Sequence, residues 1–108
     1  MSTQILKIYQ PATHLLSAAD SDDLKGWVHA SLQQGVHTLL LDLRNVLFMD
    51  SRGLALLLVA HKQAKKMGAT LALCGVQEQV LMVLKLSNLH QLFPMYSSPE
   101  DYQTSVAS

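Results

Sequence analysis

The chain has 108 residues, 49% of them hydrophobic and 15% charged, with eight basic and eight acidic side chains and a formal net charge of zero. That length suits one domain, and the apolar share supplies a core and argues against disorder. Neutral charge removes the basic surplus that a nucleic-acid partner requires. The lone cysteine, Cys74, excludes an internal disulfide framework and fits a reducing compartment. The longest apolar run, Leu54 to Ala60, is seven residues, against about 20 for a membrane span. Met1 to Gln10 carries one lysine and no apolar run of signal-peptide length. A soluble, cytoplasmic, single-domain protein that binds no membrane is the expectation.

The elements follow in chain order. Gln4 to Tyr9 reads as a short strand, ended by Pro11, and His14 to Ser17 as a second. Asp20-Ser21-Asp22-Asp23 has the caps and acids of a helix start. Leu24, Trp27, Val28, Ser31 and Leu32 then recur at helical spacing up to Gly35. Thr38 to Leu43 is short and nearly all apolar, as in a strand buried on both faces. Arg44 to Gly53 reads as an ordered loop. A helix is expected from Gly53 to Met67, with His61, Lys62, Lys65 and Lys66 at the end of its dipole that favours cations. Thr70 to Cys74 is another buried strand. Gln77 to Leu86 is a helix with Val80, Leu81, Val83 and Leu84 inward, and Asn88 is placed for a left-handed stop. Phe93 to Tyr96 contains Pro94 and is an edge strand at most. Ser98-Pro99-Glu100-Asp101 opens a last helix that runs to about Val106.

Strands alternating with helices through short loops give an α/β fold, a mostly parallel sheet of about four to five strands packed with about four helices. In such folds ligands and partners meet the carboxyl ends of the strands. The loop that leads into the Gly53 helix lies at such an end.

Most cofactor chemistry has no foothold. Phosphate-binding, dinucleotide-binding and nucleophile-elbow motifs are absent. The histidines at 14, 29, 37, 61 and 90 are scattered without ligand spacing, so neither a metal nor a cofactor is expected. Cys74 in a buried strand reads as a small hydrophobe. Trp27, Met67, Met82 and Met95 read as core residues.

Phe48-Met49-Asp50-Ser51-Arg52-Gly53-Leu54 combines polar residues with a helix start. Ser51 is placed to cap that helix, its oxygen accepting from the N–H groups of Gly53 or Leu54. The same place suits a phosphoserine, which adds about −1.5 to −2 charges where a helix presents N–H groups and its positive end. Asp50 opposes such a phosphate and Arg52 partly offsets that repulsion.

Leu40-Leu41-Asp42-Leu43, followed by Phe48-Met49-Asp50-Ser51-Arg52-Gly53-Leu54, resembles the signature of STAS domains, the family of anti-sigma factor antagonists. The family pattern is an apolar strand, Asp-Leu, a few residues, then Phe-Met/Ile-Asp-Ser-Ser-Gly-Leu. Gly68 to Cys74 resembles the family's next strand. Gln79-Val80 to Leu86, with Leu89, Leu92 and Phe93, resembles the helical segment after it. The resemblance covers about residues 4 to 106. Three departures stand out. Arg52 replaces a second serine, Ser87-Asn88 replaces Thr-Gly, and His14-Leu15-Leu16-Ser17 stands where the family often has Gly-x-Leu-Asp.

The resemblance implies a binding module and not an enzyme. Its partner would be an anti-sigma factor that is also a serine protein kinase, opposed by a serine phosphatase. Ser51 would be the phosphoacceptor, and Met49, Asp50, Ser51, Arg52, Gly53 and Leu54 would meet the partner. Within the same fold, the alternative is an unphosphorylated scaffold or ligand-sensing subunit in which Ser51 is only a helix cap. An enzyme using Asp50 as a base is the third reading, although no histidine or lysine lies in the loop to complete such a site.

Overall fold

The computed structural model describes residues 5–107. Gln4, expected to open the first strand, lies outside them. Six strands and four helices follow in chain order: β1 (Leu6–Tyr9), β2 (Leu15–Leu16), α1 (Ser21–Gln33), β3 (Thr38–Asp42), β4 (Phe48–Met49), α2 (Ser51–Lys66), β5 (Thr70–Cys74), α3 (Glu78–Leu86), β6 (Met95–Tyr96) and α4 (Pro99–Ala107). One short 3-10 turn, Ala18–Asp20, leads into α1.

The main sheet has the order β1-β3-β5-β6 and every pairing is parallel. Its central strands are apolar on both sides because helices lie on both sides. Leu39, Leu41, Leu71 and Leu73 join residues of α1, α2 and α3 in the larger core. Their alternates Leu40, Ala72 and Cys74 meet Tyr102 of α4 in a smaller one. The Tyr102 hydroxyl donates to Thr38 Oγ1 at 3.1 Å, and its ring stands edge-on to Tyr96 at 4.9 Å. These contacts tie α4 to the sheet.

Five further expectations differ in detail. Trp27 is half-buried, not fully core, and stacks on Tyr9 with ring centroids 5.2 Å apart. Met67 and Met82 are outward, 58% and 50% exposed, and Met95 is half-buried. The strand from Thr38 ends at Asp42: the Leu43 N–H still donates to the Cys74 carbonyl, but the Leu43 carbonyl turns away to accept the Val46 N–H. Asp20 occupies the cap position of α1 without a side-chain bond to the helix; its carboxylate accepts the Ser17 N–H at 3.0 Å instead. The segment read as a loop holds β4, which pairs in parallel with β2, Leu15 against Phe48 and Leu16 against Met49. Asn88 takes the left-handed conformation expected, with φ 59°. Cys74 is buried, and that burial pushes its thiol up to about 11.

Candidate functional site

The site forms where β4 turns into α2. The main chain of β3 leaves the sheet at Asp42, a buried carboxylate. Arg44 closes over it, with Nη2 at 2.7 Å and Nε at 2.9 Å from Oδ2. Gly75, at φ 63°, packs against this pair, and a Cβ there would lie 3.1 Å from Asp42 Oδ1 and 3.2 Å from Arg44 N. A left-handed backbone and a crowded neighbour both favour glycine.

Two glutamines at the entry to α3 then bracket the connecting loop. Gln77 Nε2 donates to the Arg44 carbonyl at 2.7 Å, and Gln79 Oε1 accepts the Met49 N–H at 3.0 Å. From the other side the His14 carbonyl accepts the N–H groups of Leu47 and Phe48 at 2.8 and 3.0 Å. A two-residue strand has little stability of its own. These fastenings are what hold β4 in place.

The strand alternation of β4 sends Met49 inward and Phe48 outward, the latter 54% exposed. Leu15 and Leu47 are exposed beside it. Asp50 is extended, at φ −97° and ψ −175°, and is the cap of α2. Its Oδ1 accepts the N–H groups of Arg52 and Gly53, both at 3.0 Å. Its Oδ2 accepts the hydroxyl of Ser17. The Ser17 hydrogen bond, then the Gly53 and Arg52 amides and the Arg52 charge, hold the Asp50 carboxyl below the usual carboxylate range.

Asp50, not Ser51, is therefore the helix cap. The expected bonds from the Gly53 and Leu54 N–H groups to the Ser51 oxygen are replaced: Gly53 donates to the Asp50 side chain and Leu54 to the Asp50 carbonyl at 3.0 Å. Helix α2 begins at Ser51, two residues earlier than expected. Ser51 and Arg52 are exposed, and Asp50 and Leu54 are half-buried. Among the described residues the Ser51 hydroxyl has no hydrogen-bond partner.

Gly53 and Met49 are buried. A Cβ on Gly53 would stand 2.1 Å from the Leu16 carbonyl oxygen, so α2 approaches β2 as closely as it does only because this residue is glycine. Both residues shape the loop from beneath. The outward apolar place expected for Met49 belongs to Phe48.

The structure thus brings together the residues singled out by sequence and adds Ser17, Gln77, Gln79 and Phe48. Ser17 lies in the front segment that departs from the family pattern, which was a signal of sorts. Gln77 had none and Gln79 only its place in the family-like segment, because both act on backbone atoms some 30 positions away. Among the described residues no three His, Cys, Asp or Glu side chains gather as metal ligands, and no helix is long and apolar enough to cross a membrane. Among the described residues, surface grooves lie beneath α4, along α3 and between α1 and α2, and neither Asp50 nor Ser51 lines these.

The sequence profile described as STAS domain matches residues 6–102. The chain belongs to the STAS domain family. Among curated relatives of this STAS domain, "Putative anti-sigma factor antagonist BtrV" of Bordetella bronchiseptica is 27% identical over 86 residues, 80% of this chain and 74% of that protein. "Anti-sigma F factor antagonist" of Paenibacillus polymyxa is 35% identical over 68 residues, 63% of this chain and 58% of that protein. The anti-sigma factor antagonist SpoIIAA, solved in its unphosphorylated form, superposes with a TM-score of 0.78 over 100% of this chain and 94% of its own. At 17% identity that likeness establishes the STAS fold and no more.

Proposed function

We propose that this STAS domain is an anti-sigma factor antagonist, a cytoplasmic binding module without catalytic activity of its own. In this reading it docks an anti-sigma factor that is also a serine kinase while Ser51 is unmodified. Phosphorylation of Ser51 releases the partner, and a serine phosphatase restores binding. The observation that carries the reading is the exposed, unbonded Ser51 hydroxyl at the first turn of a helix whose N–H groups are already taken by Asp50.

That arrangement supports a phosphate charge that acts outward. Arg52 and Gly53 already donate to Asp50, so a phosphate on Ser51 finds those amides engaged and a carboxylate beside it. Arg52 is the cation next to it in the chain. The added charge of about −1.5 to −2 therefore faces outward, toward whatever docks there. The docking face consists of Ser51, Arg52 and Leu54 with Phe48, while Met49, Asp50 and Gly53 fix its shape. A penalty of about 3 kcal/mol at such an interface lowers affinity roughly a hundredfold. No refolding of the domain is required.

The test is co-purification followed by calorimetry. Ser51→Ala captures the partner from cells and keeps full affinity; Ser51→Asp loses it. Full affinity in Ser51→Asp contradicts the charge switch. Equal loss in both variants shows that the hydroxyl itself is a contact and that phosphate is not the signal.

A further inference from the structure

Helix α3 buries Val80 and Leu84 completely, whereas Leu81, expected inward, is half-buried and lines the outer side. Its opposite side is unusually apolar for a surface. Leu86 is 80% exposed and Met82 50%, and with Leu81, Glu78 and Lys85 they line a groove of about 500 Å³. Most exposed apolar side chains are solitary and need no explanation. Here two adjoin on one helical face, at i and i+4, with charges at the two ends of the groove.

The order of those charges is what points to an occupant. Glu78 and Lys85 are seven residues apart, two turns or about 10 Å along the helix. Neither has an ion-pair partner among the described residues. We propose that this face pairs with the same face of a second copy of the chain, the two α3 helices running antiparallel about a two-fold axis between Leu81 and Met82. In that arrangement each Glu78 stands opposite Lys85 of the second copy, so both charged ends are matched at once. Leu81 of each copy meets Met82 of the other, and Leu86 covers the ends of the contact. A parallel pairing would set Glu78 against Glu78 and Lys85 against Lys85. Such an interface is isologous, as two-fold dimers require. A nine-residue helix offers less than the roughly 800 Å² per partner of a standard stable interface. The pairing is accordingly weak, reversible and concentration-dependent. It does not rest on the phosphoserine reading, because the pairing face is on α3 and not on the turn that carries Ser51.

Sedimentation equilibrium on the full chain, over a concentration series reaching about 1 mM, tests the proposal. The average mass should climb from the monomer toward the dimer. Leu86→Ser, at an 80% exposed position and with its fold checked by circular dichroism, should return it to the monomer. Glu78→Lys should do the same, and Glu78→Lys with Lys85→Glu should restore the wild-type concentration dependence. A monomer at every concentration overturns the proposal, as does a dimer that survives Leu86→Ser. A folded double variant that fails to regain pairing overturns the antiparallel arrangement. Capture of a different protein by α3 from a chain that stays monomeric also counts against it.

Discussion

The Ser17 hydroxyl donates to the Asp50 carboxylate across 33 positions of sequence, joining the turn after β2 to the cap of α2. This bond adds a polar side-chain link between two segments that also meet through the Asp50 N–H to Leu16 carbonyl bond and through the buried side chains of Leu16 and Met49. It also occupies the one Asp50 oxygen that the helix amides leave over, so the carboxylate has three donors and stays ionised.

Removing that donor should raise the Asp50 pKa in Ser17→Ala, back toward the ordinary 3.8. The sign for stability follows from a depressed folded pKa. Ionised Asp50 contributes stability above its unfolded pKa, and the contribution is lost as pH falls through the lower folded value. Acid unfolding of Ser17→Ala should therefore begin at higher pH than in the wild type. Carboxyl-detected NMR titration reads the pKa, and a pH series of thermal melts reads the stability.

Because Asp50 caps α2 and Ser51 does not, the two alanine variants should differ. Ser51→Ala should change the unfolding free energy by less than about 0.5 kcal/mol, as exposed sites without partners do. Asp50→Ala leaves the Arg52 and Gly53 amides without their acceptor and should be clearly more damaging. Urea unfolding of the pair separates them.

Gly53→Ala forces a methyl into the Leu16 carbonyl. Either α2 or β2 must move, and the loss should be about 3 kcal/mol. If the chain instead melts like the wild type, the close approach of α2 to β2 is wrong.

Gln79→Leu removes the acceptor of the Met49 N–H while keeping similar bulk. Hydrogen exchange at Met49 should accelerate, while amides of the central strand β3 should not change. Equal exchange at Met49 in the variant and the wild type would mean that Gln79 does not hold the loop.

The long apolar runs made β3 and β5 legible, because a strand covered on both faces has to be apolar throughout. Helix ends were legible where the chemistry is unambiguous, as at Asn88. The cap of α2 was not, because Asp50 and Ser51 are adjacent and both residue types cap helices well. The extended backbone at Asp50 and the Arg52 and Gly53 N–H groups that its side chain accepts assign the role. Strand β4 was missed for a different reason. Two residues carry no periodicity, and their partners, the His14 carbonyl and Gln79, lie 30 or more residues away in either direction. Met67 and Met82 were misplaced because methionine suits a core as well as a docking face, and the helical pattern around each allows either.

The central claim is that Ser51 carries the switch. Intact-mass analysis and phosphosite mapping of the protein isolated from its own cells, with phosphatases blocked, tests it most directly. The account predicts a single phosphate, on Ser51, in a fraction that varies with growth or stress. A Ser51 that is unmodified under every condition sampled would contradict it and leave a constitutive STAS scaffold.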